Sequence, residues 1–420
     1  MNRTTLIIVG VVGLILIIGV LLLSGVGRNP PAPVPVTLEF WGFGDDEAAW
    51  RPVMDAFHVV YPAITVRYIR LTDATYEDTL VNRLAAGSGP DVFLLKNLWL
   101  GKERDKIAVL PAASSPVSPA QFRATFVDGA GALVADDGGL ISMPLSMDSL
   151  ALFYNKDVFD AAGIAKPPAT WDEFVAISRG LTKVAANGDI IKSGAALGTS
   201  RNVPYALELV SSLMLQQKDA IVGRDGHADL QHGAQQGLEF YASFANRANQ
   251  NFSWTGRMAS AQDAFAQGDA AMAFGTSNDL QSVLLKNPHL NFSIAPLPQF
   301  AGGVARTFGT YLFPAVSRVS THQAAAWQFA LFASSHDGAA LYLGASGHPP
   351  ARRDLIAAAP DAGATGVFSH QALIARDWPI PDESAVRRIF GDAIDSIASG
   401  TYTPSAALSR ISEQLQLLLP

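Results

Sequence analysis

Cysteine is missing from all 420 residues. That excludes disulfides, thiol nucleophiles, Cys-based metal sites and lipid attachment through a terminal cysteine. Runs of Lys or Arg are missing too. Against 30 Lys plus Arg stand 37 Asp plus Glu, for a formal net charge of −7. Nucleic acid is therefore not expected as a partner, because phosphate binding needs a basic face. The chain has no Gly-x-Ser-x-Gly, no His-Glu-x-x-His and no phosphate-cradling Gly-x-x-x-x-Gly-Lys. Gly42-Phe-Gly44 lacks the third glycine of a dinucleotide loop. The eight His are scattered, and His227 and His232, five apart, do not share one helix face. No cofactor and no metal are expected. Asp45-Asp46-Glu47 could serve as a carboxylate pair for glycoside hydrolysis, but acidic residues at a helix start are favoured by the helix dipole alone.

What is present is apolar and long. Hydrophobic residues make up 49% of the chain, which excludes a disordered polymer and allows two to three domain-sized cores. The longest apolar run is Leu6–Leu23, 18 residues interrupted only by Gly. As a helix it spans a bilayer core. A secretory signal has a shorter apolar centre and a small-residue cleavage site, for which Gly25-Val26-Gly27 is poor. The run is read as an uncleaved anchor over residues 1–28; a cleaved signal would export the remainder as well. A Pro-rich tether over residues 29–36 follows, extended and semi-rigid.

From Val36 the periodicity alternates between strand and helix. Val36–Trp41, Ile64–Tyr68 and Asp91–Leu95 read as strands. Between them, Glu47–Tyr61 and Tyr76–Ala86 carry apolar residues at helical spacing. A βαβαβ order with short links predicts an α/β sheet, whose ligands sit beyond the carboxyl ends of the strands. Those ends are Trp41–Asp45 and Lys96–Trp99. Leu140–Asp157 has two strand-sized apolar runs, split by Pro144 and by Ser146-Met-Asp-Ser149. The gap holds neither a helix nor an Asn-Gly turn, so the chain can leave one sheet and enter another there. That crossing would set Asp148 in a cleft. Within a single sheet, Asp148 would be a solvated loop residue. Later, Thr170 and Glu173 form a capping box. Gly347-His-Pro-Pro-Ala-Arg352 reads as a turn.

Several motifs converge. They are Leu38-Glu-Phe-Trp41, Tyr61-Pro-x-Ile-x-Val66, Ala85-Ala-Gly-Ser-Gly-Pro-Asp-Val92 and Asp148-Ser-Leu-Ala-Leu-Phe-Tyr-Asn-Lys-Asp157. Pro168-x-Thr-Trp-Asp-Glu-Phe174, Gly268-x-Ala-Ala-Met272, Ala295-Pro-Leu-Pro298 and Ala325-Ala-Trp-Gln-Phe329 follow in order. In this order and spacing the chain from Val36 resembles the extracellular solute-binding proteins of ABC importers, of the maltodextrin-binding class. The resemblance implies an α/β, periplasmic-binding-protein-like fold of type II, with two lobes hinged about a cleft. Lobe 1 would hold residues 37–145 and about 298–335. Lobe 2 would hold 146–297 and about 336–420. The second crossing would lie near Ile294–Gln299. The implied partners are a small solute, expected to be a mono- or oligosaccharide, and the permease subunits of an importer. The bilayer would be reached through residues 6–26, and the protein would be a cell-membrane monomer with an extracellular globular part. A tethered sensory or adhesive module that keeps the fold and loses the permease is the alternative; an extracellular glycoside hydrolase is a remoter one.

Carried over by motif, the resemblance places ligand contacts at Phe43 and Asp45, Asn97 and Trp99, Asp148, Tyr205, and Ser277 and Asn278. Gly309, Tyr311, Trp378 and Arg387 are added from the return strand and the penultimate helix. Many relatives carry a Trp after the strand ending at Gly275; here Thr276-Ser277-Asn278 stands instead. Either Trp254 or Trp378 could replace it as a stacking platform, or the ligand is something other than a glucan.

Overall fold

The computed structural model describes residues 34–217, 221–223, 225–230 and 232–419. The expected membrane anchor and most of the tether lie outside these residues. Among the described residues no helix is long and apolar enough to cross a membrane.

Alternation drives the first strand, β1 (Val36–Gly42), in which Leu38 and Phe40 point into a core. Helix Glu47–Val60 buries Ala49, Trp50, Val53 and Phe57 on one face. It leads to β2 (Ile64–Arg70), helix Tyr76–Ala85 and β3 (Val92–Lys96). Both β2 and β3 pair parallel to β1, which gives the βαβαβ unit. Strand β4 (Ser146–Ser149) is antiparallel to a later strand of the same sheet. Only Leu150 separates β4 from β5 (Ala151–Asn155), which is the centre of a second sheet. The chain thus changes lobes at Leu150, two residues after Asp148.

Helix Trp171–Leu181 opens on the Thr170–Glu173 capping box and buries Trp171 and Phe174 in the second core. The hairpin β6 (Lys183–Val184) and β7 (Ile190–Lys192) follows, then the almost wholly buried helix Ala206–Gln216. Strands β8 (Met272–Gly275) and β9 (Phe292–Pro296) flank β5 on either side, both antiparallel. Long strand β10 (Thr307–Val316) returns to the first sheet beside β3 and β4. Short β11 (Ala375–Arg376) pairs with its start. The first sheet therefore runs β11-β10-β3-β1-β2, with β4 also on β10; the second runs β8-β5-β9. Each sheet has its own hydrophobic core.

Packing departs from the expected division at two places. Leu297 and Phe308 still belong to the second core. Residues 298–306 are held on that lobe because the Gln216 amide donates to the carbonyls of Pro298 (3.1 Å) and Arg306 (3.0 Å). The return thus comes at Gly309 rather than near Ile294–Gln299. Conversely, Tyr342, Ala351 and Ile356, beyond the expected boundary at residue 335, pack in the first core. Helix His336–Ser346 lies against helix Glu47–Val60, with the Tyr342 ring stacked 4.3 Å from Trp50. Helix Gly363–Gln371 then packs on β9, and the chain touches the first sheet once more at β11.

Three buried amides join these crossings. Gln371 accepts from the Leu297 N–H (2.8 Å) and donates to the Leu150 carbonyl (3.1 Å), tying the first crossing to the second. Asn97 donates to the Gly309 carbonyl (3.0 Å) and the Asp377 carboxylate (3.2 Å), and accepts from the Tyr311 N–H (3.1 Å). Gln216 also accepts from the Trp171 indole N–H at 2.8 Å. Replacing Gln371 by the similarly sized Leu leaves a buried donor and a buried acceptor unpaired. It should lower stability by roughly 2–4 kcal/mol, read as an earlier urea transition. An unchanged transition would mean that water satisfies both groups.

Candidate functional site

The carboxyl ends of the first-lobe strands lie beside the crossings between the lobes. β1 ends at Gly42, where a Cβ would fall 2.6 Å from the Tyr68 ring, so only glycine lets the chain turn there. Phe43 follows, its ring 4.7 Å from Tyr76 and 5.1 Å from Trp99. Trp99 is in turn capped by the Lys96 ammonium, 4.5 Å above its ring. Phe43 remains only partly buried.

Asp45 stands next to this aromatic group. Its Oδ2 accepts from the Tyr342 hydroxyl (2.6 Å) and from His348 Nε2 (3.1 Å). Burial opposes ionisation of Asp45. The His348 hydrogen bond and charge, with Tyr342, outweigh it and hold the carboxyl below its ordinary range. Burial likewise works against a charged His348, but Asp45 first and Asp148 further off raise its pKa above the ordinary value. The turn carrying His348 is fixed because the Met147 N–H donates to the Pro349 carbonyl at 3.0 Å. His348 is thereby set beside the crossing strand.

Asp148 bridges to the second lobe. Its Oδ2 accepts from the Ser277 hydroxyl (2.6 Å) and N–H (3.1 Å), and its Oδ1 from the Ser149 N–H (2.8 Å). Burial pushes its pKa up, against those three donors. Beyond Ser277, the Tyr205 hydroxyl donates to Asp279 Oδ2 at 2.8 Å, and the Thr276 N–H shares that oxygen. A polar line therefore runs from Asp45 through His348, Asp148 and Ser277 to Tyr205. Asn278 is exposed at the head of helix Asp279–Lys286 and makes no capping bond.

A second set of charges spans the lobes. Lys96 Nζ lies 2.7 Å from Glu383, on the first turn of helix Glu383–Ala398. Glu383 accepts from Arg387 Nε at 2.8 Å, and Arg387 also pairs with the nearly buried Glu208. Two cations face two carboxylates, so the set is neutral.

The remaining candidates lie elsewhere. Asn97 and Tyr311 are buried at the crossing, and a Cβ at Gly309 would fall 2.7 Å from Met147 Sδ. Trp378 is 5% exposed, packs in the second core and donates to Ser211. Trp254 is fully buried and donates to Asn202. Both rings are taken up by the second core, which leaves neither as a stacking platform. Sequence reasoning missed His348, Glu208 and Glu383. Only Glu208 left a signal, as a carboxylate within the apolar run Ala206–Leu215.

Residues 42–340 match the model of the bacterial extracellular solute-binding protein family. The chain belongs to that family. The solute-binding protein is 23% identical over 379 residues to a putative binding protein of Brucella abortus, covering 88% of this chain and 89% of that one. It is 27% identical over 179 residues to an sn-glycerol-3-phosphate-binding periplasmic protein of the same species, a match covering 40% of this chain and 38% of that protein. Its fold matches the sugar-binding protein MalE of Xanthomonas citri with a TM-score of 0.74, at 21% identity, over 91% of this chain and 97% of that one. The two-lobed α/β architecture and the membership expected from the sequence both hold. The solute-binding protein is a binder rather than an enzyme, and the glycoside hydrolase alternative is set aside. Its globular part is extracellular, as the family is.

The Asp45–His348 pair generates a pH test. A raised His348 pKa stabilises the fold fully below the unfolded value near 6.5, and the gain is lost as pH rises through the folded pKa. The lowered Asp45 pKa stabilises above about 3.8, and that gain is lost as pH falls through its folded pKa. The melting temperature of the wild type should therefore exceed that of His348→Gln most near pH 5.5. The gap should narrow by about pH 8.5, where an ordinary imidazole is neutral. An equal gap at both pH values would mean that His348 acts uncharged.

Proposed function

We propose that the groove captures an uncharged mono- or oligosaccharide and that the lobes close on it. The closed form would then be handed to the membrane subunits of an ABC importer, with residues 6–26 as the membrane tether and the protein working as a monomer. The contacts proposed are Phe43, Asp45, Trp99, Asp148, Tyr205, Ser277, Asn278 and Arg387, joined by Lys96, His348 and Glu383.

The observation that carries this reading is the charge balance. Every cation at the groove already has a carboxylate: Lys96 has Glu383, Arg387 has Glu208 and Glu383, and His348 has Asp45. A phosphate would have to displace one of these carboxylates and leave it unpaired, which is costly in a partly buried site. A sugar hydroxyl both donates and accepts, so it can insert into such pairs without leaving a charge unmatched. The Phe43 ring supplies an apolar surface for a sugar's C–H face. This favours a neutral sugar over the glycerol phosphate bound by the partial relative. Ligand that touches both lobes binds the closed form better and so shifts the equilibrium towards it.

A thermal-shift screen of the protein against mono- and oligosaccharides, polyols and glycerol phosphates tests the class. Binding to the native state alone raises the melting temperature. A clear shift from glycerol phosphate, with none from any carbohydrate, would overturn the assignment.

Asp148→Ala frees Ser277 and removes an acceptor at the centre of the polar line. The variant should still fold and should lose about tenfold or more in affinity for whichever sugar the screen finds, the scale of one hydrogen bond to a charged group. Titration calorimetry reads it. Unchanged affinity would leave Asp148 as a hinge residue that bonds only Ser277.

A further inference from the structure

Contacts between the lobes converge on one short segment, Ile380–Glu383. Asp382 caps helix Glu383–Ala398, whose Val386, Phe390 and Ile394 are buried in the second core. Ile380 is buried in that core as well. Facing the segment from the first lobe is the short helix Leu100–Glu103, which follows β3. A Cβ at Gly101 would fall 2.4 Å from the Ile380 carbonyl oxygen and 3.1 Å from Pro381 Cα. Both atoms are backbone and cannot swing aside. Gly101 is not among the glycines with positive φ, so its own conformation does not call for glycine. What keeps position 101 without a side chain is the approach of the other lobe's backbone.

Charged and apolar contacts flank this seat. Lys96 Nζ lies 2.7 Å from Glu383, and both side chains are largely buried. Lys102 pairs with Glu77 of its own lobe at 2.8 Å and lies 3.8 Å from Asp382 of the other. Leu98 is buried in the second core, although β3, which it follows, lies in the first sheet. Backbone packing, an ion pair and a buried leucine therefore join residues 96–102 to the second lobe.

We propose that this contact is a latch that holds the lobes together before ligand binds, with Gly101 as its positioning residue. Lacking a side chain, Gly101 lets its helix seat on the Ile380–Pro381 backbone and lets Lys96 reach Glu383. A ligand then meets lobes already apposed, and apparent affinity rises with the fraction of chains in the binding-competent form. The inference rests on the proposed hinge closure, but not on the ligand being a sugar. Lys96 and Glu383 are among the proposed ligand contacts, so the seat lies on the ligand side of the crossings. A side chain at position 101 should wedge the lobes apart. Its Cβ alone must retreat from 2.4 Å to about 3.5 Å, an ordinary contact distance. The seat is close to the crossing at Asp377, so that shift grows towards the rims of the lobes.

The absence of cysteine permits a direct test. Ala74→Cys and Gln281→Cys place one spin label on each lobe of the full chain, at exposed positions. Double electron–electron resonance then reads the distance between the lobes with no ligand added. Gly101→Ala, Gly101→Val and Gly101→Leu should lengthen that distance in this order, by more than about 1 Å for Leu. Gly180→Leu is the control, on a second-lobe helix where a Cβ meets nothing within 4 Å, and should leave the distance unchanged. A distance unchanged or shortened through the Gly101 series would overturn the latch, as would an equal lengthening in Gly180→Leu. So would a large fall in melting temperature already in Gly101→Ala with the distance unchanged, which would make the contact a fixed part of the fold. Because no ligand is used, a failed sugar screen leaves this result standing, and a failed latch leaves the screen's result standing.

Discussion

Two lobes can move about several chain crossings only if those crossings stay in register. Here the constraint is carried by primary amides rather than by charges or ring stacking. An amide has two donors and two acceptor lone pairs in one plane, so it can satisfy backbone groups from two strands at once. Gln371 links Leu150 to Leu297, and Asn97 links the return strand at Gly309 and Tyr311 to Asp377. Backbone at a crossing has left one sheet ladder and not yet joined the next. Its N–H and C=O groups would otherwise be buried unpaired. The amides meet that need without a repeating ladder, which leaves the crossings able to bend.

Asp377 shows what such a junction does to ionisation. Burial raises its pKa to about 6, and the Asn97 amide works in the other direction. The Asn97 donor that favours its charged form follows β3, in the same first sheet that β11 joins. The junction and the lobe packing are therefore coupled: a change that withdrew Asn97 would also alter the charge beside β11. Asn97, which the sequence resemblance placed against ligand, has its carboxamide occupied by these contacts.

Legibility in the sequence followed the range of the interaction. Local patterns were readable. The Thr170–Glu173 box, the alternation of β1 and the helical spacing of Trp50, Val53 and Phe57 are set by neighbours within a few positions. Leu140–Asp157 was readable as a place where the chain could cross, but the strand before the crossing falls on the polar Ser146–Ser149 rather than on the apolar Leu140–Met143. The long-range partners were not readable. Asn97 and Gly309 are 212 positions apart, and Gln371 and Ser149 are 222 apart. No periodicity joins them. His348 was hidden for a related reason: its place in the groove depends on Pro349 being bonded to Met147, far earlier in the chain. Trp378 misled in the opposite sense. Its position before a terminal helix matched a ligand contact by motif, but Ser211 on a buried helix takes its indole N–H.

The loss of a tryptophan after Gly275 can be understood from the same packing. A Cβ at Gly275 would fall 2.9 Å from Asp279 Oδ2 and from the Phe153 ring, so the strand end is tightly closed. Thr276 then gives its N–H to Asp279, and Ser277 gives its hydroxyl and N–H to Asp148. A bulky ring at Ser277 would forfeit the side-chain donor and leave the buried Asp148 with backbone donors alone, raising its pKa further. The short polar residues at 276–277 thus have a structural task at the crossing. For the sugar proposed above, the apolar face would come from the first lobe, where the Phe43 and Trp99 rings meet and Lys96 caps Trp99. Apolar contact comes from the first lobe, whereas hydrogen-bonding groups come from both, Asp45 and Asp148 on the first and Tyr205, Ser277 and Arg387 on the second. A ligand that engages both sets is held best when the lobes meet, so closure gains most for it.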